Sequence, residues 1–128
     1  MALILLADDD ELVCDVVRAT LSAEGHVVGL VGNGADAVRV VEVKQPDLII
    51  LDCTMPELPG IEALRQIRLS RTAYRTPVLI LTARRSEMDE EIAMRAGAND
   101  YLRKPFDPDE LIVRVESLLE KAGRARPG

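Results

Sequence analysis

The sequence predicts an α/β domain in which five strands alternate with five helices and the strands form one parallel sheet covered on both faces. Two observations lead there. The runs Ala2 to Ala7, Leu48 to Leu51 and Val78 to Leu81 are too short for buried helices, rich in Ile, Leu and Val, and without alternation, as in strands buried on both sides. The segments between them carry apolar residues at helical spacing. Aromatic residues are only 2% of the chain, so the core must be aliphatic, which suits such a sheet. With 128 residues, the chain has the size of one domain that closes its core without metal or disulfide staples.

The elements follow in order. The first strand, Ala2 to Ala7, runs into Asp8-Asp9-Asp10-Glu11. Val13, Val17 and Leu21 then recur every four residues, and Gly25 is placed to end that helix. A weaker strand signal lies at His26 to Val31. Val38 and Val41 mark a second helix before Pro46, Leu48 to Leu51 a third strand, and Ile61, Leu64 and Ile67 a third helix. After the strand Val78 to Leu81, Ser86-Glu87-Met88-Asp89 reads as a variant capping box for a fourth helix that should end at Gly97. Asp100 to Arg103 is the last, weaker strand.

The final helix has the strongest signals: Asp107 as N-cap, Pro108 at the first helical position, Glu110 completing a capping box, and Leu111, Val115, Leu118 and Leu119 as inner stripe. It should end near Lys121. Residues 1–122 are therefore read as the domain and 123–128 as a flexible tail or the start of a linker.

A formal net charge of −6 would repel a phosphate backbone, which argues against direct nucleic-acid binding. Cys14 and Cys53 stand in no metal spacing and suggest reduced, cytosolic thiols. The N-terminus has no basic leader, and no run approaches the roughly 20 apolar residues of a bilayer span, so a soluble, cytoplasmic protein is expected.

In sheets of this class, ligands bind outside the carboxyl ends of the strands, where strand order reverses. Asp8 and Asp9 follow the first strand, Asp52 closes the third, Thr82 closes the fourth and Lys104 follows the fifth. Three carboxylates gathered at one edge repel one another, and a hard cation such as Mg²⁺ relieves that. Helix capping is the plainer reading of the acidic run, and it is adopted for Asp10 and Glu11. Asp52 resists that reading, because a carboxylate ending a buried strand needs partners that an apolar core lacks. Lys104 gains meaning as their charge partner, and Thr82 through its position.

Four segments resemble the receiver domains of bacterial two-component response regulators, of the chemotaxis-regulator kind: 5–10 (LLADDD), 46–56 (PDLIILDCTMP) with Gly60 beyond it, 77–83 (PVLILTA) and 100–106 (DYLRKPF). The resemblance implies a flavodoxin-like strand order 2-1-3-4-5 and a phosphoacceptor at Asp52. It further implies Mg²⁺ held by Asp9, Asp52 and the Thr54 carbonyl, with Asp8 acting through a water, and phosphoryl oxygens received by Thr82 and Lys104. A cis bond is expected between Lys104 and Pro105.

Thr82 and Tyr101 would form the switch, altering the face of the fourth helix, fifth strand and last helix. Thr54 and Arg84 occupy positions that vary in the family and affect acyl-phosphate lifetime. The implied partners are a sensor histidine kinase or histidine phosphotransfer protein, a downstream effector or output domain, and a second copy in a phosphorylation-dependent homodimer. The chain would promote only its own phosphorylation and dephosphorylation and is not read as an enzyme. The rival readings are a Mg²⁺-dependent phosphohydrolase with an aspartyl nucleophile, suggested by the spacing of Asp8 and Asp10, and a receiver-like interaction module without phosphotransfer.

Overall fold

Strands without polar alternation must be covered on both faces, and the computed structural model, which describes residues 1–83 and 87–123, arranges them that way. The order is β1 (Leu3–Ala7), α1 (Glu11–Ala23), β2 (Val27–Val31), α2 (Gly34–Lys44), β3 (Leu48–Leu51), α3 (Gly60–Leu69), β4 (Val78–Thr82), α4 (Glu87–Arg95), β5 (Asp100–Arg103) and α5 (Pro108–Lys121). All five strands are parallel, in the order β2-β1-β3-β4-β5.

Successive strand residues point to opposite faces, so each apolar run feeds two cores. Ile4, Leu6, Leu48, Ile50, Leu79 and Leu81 meet α1 and α5 through Val17, Leu21, Leu111 and Val115. Leu5, Ile49, Leu51, Val78 and Ile80 meet α2, α3 and α4 through Val41, Leu64, Ile67 and Ala93. Full burial of a Leu or Ile side chain stabilises by about 1.5–3 kcal/mol, and Leu and Ile side chains from every layer, among them Ile4, Leu21, Ile50, Leu64 and Leu111, are fully buried.

The helix ends follow local chemistry with one correction. Asp10 caps α1 by accepting from the N–H groups of Leu12 and Val13, and Asn33 caps α2 through that of Asp36. Asp107 caps α5 by accepting from the Asp109 N–H at 2.8 Å. The expected second arm of that capping box is absent: the Glu110 carboxylate is held by Arg114 at 2.9 and 3.1 Å, because a guanidinium one turn on binds it more strongly than a backbone N–H.

β1 and β2 each begin one residue later than expected. The His26 imidazole explains part of this, since its Nδ1 accepts from the Ala2 N–H at 3.1 Å while its Nε2 lies 2.7 Å from Glu116 of α5. α4 ends two residues before Gly97, whose φ of 113° only glycine adopts readily. Ser86, the expected cap of α4, Arg84 and residues 124–128 of the tail lie outside the described residues.

Candidate functional site

From β1 the chain crosses to one neighbouring strand, β2, and later returns to the other, β3, so the carboxyl ends of β1 and β3 border the switch point of the sheet. Asp8 and Asp9 leave β1 there and Asp52 leaves β3. The Asp52 N–H donates to the Ala7 carbonyl at 2.9 Å, which carries the ladder one step past the strand and anchors Asp52 beside Asp8. One carboxylate oxygen from each of Asp8, Asp9 and Asp52 lies within 4.8 Å of the others. Asp8 and Asp52 are buried and Asp9 is exposed, so the cluster opens to solvent on one side.

Lys104 brings the opposite charge from β5. Its N–H donates to the Thr82 carbonyl at 2.8 Å, the Lys104–Pro105 bond is cis, and its Nζ lies 2.7 Å from Asp8 Oδ2 and 3.8 Å from Asp52 Oδ2. The stronger contact is thus to Asp8, whose other oxygen accepts from the Asp10 N–H at 2.9 Å. Asp52 is left with the weaker share of the lysine and with the Thr54 N–H. Burial pushes its carboxyl above the usual carboxylate range and the charge of Asp8 pushes it further, while Lys104 and the Thr54 N–H act the other way.

Thr54 itself is exposed and Thr82 is fully buried at the end of β4. Tyr101 is only 6% exposed and packs among the residues between the sheet and α2, α3 and α4. Burial pushes its phenol up to about 12.

Other contributors were harder to foresee. Gly60 donates its N–H to the Cys53 carbonyl at 3.0 Å, and a Cβ there would overlap the Asp52 carbonyl oxygen. Only glycine lets α3 begin against the backbone that carries Asp52. Its place beyond the Asp52 segment was visible in the sequence; the reason was not. Glu57 takes φ of 69° and the Leu58 N–H bonds to the Pro56 carbonyl at 2.8 Å, which makes the β3–α3 loop tight. Cys14 reaches the Asp8 carbonyl with its Sγ at 3.4 Å, and its thiol is pushed up by burial and then by Asp8. No pattern in the sequence pointed to it.

Three carboxylates and a lysine at the switch point of a doubly wound parallel sheet define an α/β domain that gathers acidic ligands suited to a hard cation. Residues 4–116 match the family model of the response regulator receiver domain, and the chain belongs to that family.

Among curated relatives, the alkaline phosphatase synthesis transcriptional regulatory protein PhoP of Bacillus subtilis is 36% identical over 97% of this chain and 51% of its own length. The response regulator MprA of Mycobacterium leprae is 42% identical over 92% of this chain and 51% of its own length. The chain thus spans about half the length of these relatives. The crystallised receiver domain of the sensor histidine kinase PA1611 from Pseudomonas aeruginosa, with a magnesium ion coordinated in its active site cleft, is 39% identical and superposes with a TM-score of 0.84. That match covers 95% of this chain and 98% of the other. The chemotaxis protein CheY4 of Vibrio cholerae is 30% identical, with a TM-score of 0.87 over 93% of this chain and 99% of its own. Among the described residues no helix is long and apolar enough to cross a membrane.

Proposed function

We propose that the chain is the phosphoacceptor switch of a two-component relay and that Asp52 is the residue phosphorylated. The observation that carries this reading is the convergence of Asp8, Asp9, Asp52 and Lys104 in one cluster that opens to solvent at Asp9. Its donor set is all hard oxygen, which fits Mg²⁺: Asp9, Asp52 and the Thr54 carbonyl would hold the ion, with Asp8 behind them. Bound there, Mg²⁺ supplies charge neutralisation on the transferring phosphoryl group.

The Asp52 carboxylate attacks the phosphorus of a phosphohistidine. The P–N bond breaks, and its electron pair stays on the departing imidazole. Lys104 and the Thr82 hydroxyl receive phosphoryl oxygens and so favour the crowded charge of the transition state. In the return step water attacks phosphorus, the P–O bond to Asp52 breaks, and inorganic phosphate leaves. Each step restores or consumes the chain itself, so the reading is of a signalling domain and not of a turnover enzyme. Asp10, needed by the phosphohydrolase reading, is spent on capping α1, which weighs against that rival.

The phosphodonor would dock beside the pocket. Leu12, Val13 and Val16 of α1 face Pro105 and Phe106 across a groove of about 410 Å³, and Leu12 is 72% exposed. That apolar rim suits the helix of a sensor histidine kinase or a histidine phosphotransfer protein in the cytoplasm. Thr82 and Tyr101 form the switch in this reading, transmitting phosphorylation to the face of α4, β5 and α5, where an output domain, a separate effector or a second copy would bind. Residues 1–122 act as the receiver in this reading, and 123–128 as a tail or the start of a linker.

Incubation with Mg²⁺ and acetyl phosphate, followed by intact mass, tests the assignment: the protein gains one phosphoryl group and Asp52→Asn gains none. Equal gain in the variant would refute it.

A further inference from the structure

The nine arginines among the described residues divide unevenly. Arg39, Arg65, Arg95, Arg103 and Arg114 each pair with a carboxylate. Arg18, Arg68, Arg71 and Arg75 do not, and three of these four fall in one eight-residue stretch where α3 leads into β4. That stretch precedes the amino end of β4. In a parallel sheet it therefore lies at the edge opposite the pocket of Asp8 and Asp52.

The loop is held from below. The Arg68 guanidinium donates to the carbonyls of Thr76 at 2.7 Å and Tyr74 at 3.3 Å, to that of Gly97 at 3.0 Å, and to Asn99 Oδ1 at 2.8 Å. The Thr76 N–H closes on the Ala73 carbonyl at 3.1 Å, with Ala73 and Thr76 buried. All partners of Arg68 are neutral, so its charge is hydrogen-bonded but not cancelled by a carboxylate, which is uncommon for a half-buried cation. On the outer side stand Leu69, 84% exposed, Tyr74, 54% exposed, and the exposed Arg71 and Arg75. Tyr and Arg are the residue types that dominate binding energy at interfaces, and a loop already fixed by hydrogen bonds loses little freedom on binding.

We propose that this α3–β4 loop is a docking surface for an acidic protein segment with an aromatic or apolar anchor, its acidic groups meeting Arg71 and Arg75 and its anchor packing on Tyr74 and Leu69. Charge complementarity selects the occupant: three uncancelled guanidinium charges are concentrated on a chain whose formal net charge is −6. A polynucleotide, extending beyond the loop, would run into that surrounding negative charge, whereas a short peptide need not. Docking here leaves the phosphorylation pocket free.

The test uses the full chain, ¹⁵N-labelled, titrated with a synthetic peptide bearing one Phe flanked by runs of Glu. Amides of residues 69–76 should shift and saturate. Arg71→Glu/Arg75→Glu should weaken binding by about tenfold or more, as should replacing the peptide's Phe by Ser, and Tyr74→Ala several-fold. The double variant should keep its circular dichroism and its modification by acetyl phosphate. Absence of saturable shifts, unchanged affinity in a folded double variant, or equal binding of an oligouridylate would each overturn the proposal.

Discussion

Replacing Asp52 by Asn should stabilise the metal-free protein and destabilise it relative to the parent once Mg²⁺ is added. The Asp52 side chain is 5% exposed and sits within 4.8 Å of the Asp8 and Asp9 carboxylates and 3.8 Å from Lys104 Nζ. With an effective dielectric constant of about 20, each carboxylate at that limit opposes the Asp52 charge by about 3–4 kcal/mol, and Lys104 favours it by about 4 kcal/mol. The exposed Asp9 is screened, so the Coulomb contributions of Asp8 and Lys104 nearly cancel, and the desolvation of a buried carboxylate decides the sign.

Asn keeps an oxygen for the Thr54 N–H and offers an amide N–H to the acidic neighbours. The expected gain is about 1–3 kcal/mol in EDTA at neutral pH. Because the folded state raises the Asp52 carboxyl, its protonated form is the better-tolerated one. The parent's deficit is therefore absent below the unfolded carboxylate value and develops as pH rises through the folded value. The variant's advantage should vanish on acidification. With Mg²⁺ about a hundredfold above its dissociation constant, the parent gains about 3 kcal/mol that the variant loses in large part, which reverses the order. Urea unfolding followed by far-ultraviolet circular dichroism measures both, since the chain has no Trp. A variant less stable than the parent in EDTA, or the same difference with and without Mg²⁺, would refute the reasoning.

Three further outcomes follow from local geometry. In a Tyr74→Phe background, spectrophotometric titration should show Tyr101 ionising only near pH 12, because its phenol is buried. Gly60→Ala should cost about 2–4 kcal/mol in urea unfolding, since the obstructing atom is the backbone oxygen of Asp52, whereas Glu57→Gly in the same loop should gain about 0.5–1 kcal/mol by relieving a left-handed residue. Arg68→Lys should lose about 2–3 kcal/mol by the same assay, because an ammonium cannot reach the carbonyls of Thr76 and Gly97 and the Asn99 oxygen together.

Much of the fold was written locally. β3 and β5 have the bounds read from their residues, and α5 was signalled by Asp107, Pro108 and the stripe from Leu111 to Leu119, because cap and stripe are fixed by neighbours within a few residues. The gathering of Asp8, Asp9, Asp52, Thr82 and Lys104 at one edge was legible for a related reason: parallel strands bring every residue that follows a strand to the same side.

The sequence by itself determined the alternation of strands and helices, the aliphatic double core and the set of groups at the strand ends, since periodicity and chain direction suffice for these. Only the tertiary structure decided that Lys104 holds Asp8 more closely than Asp52, that Tyr101 lies inside, that Glu110 belongs to Arg114 and that Arg68 ties down the α3–β4 loop. Each of these is a competition between partners. It is settled by distances of a few ångströms between side chains, and sequence spacing does not encode them.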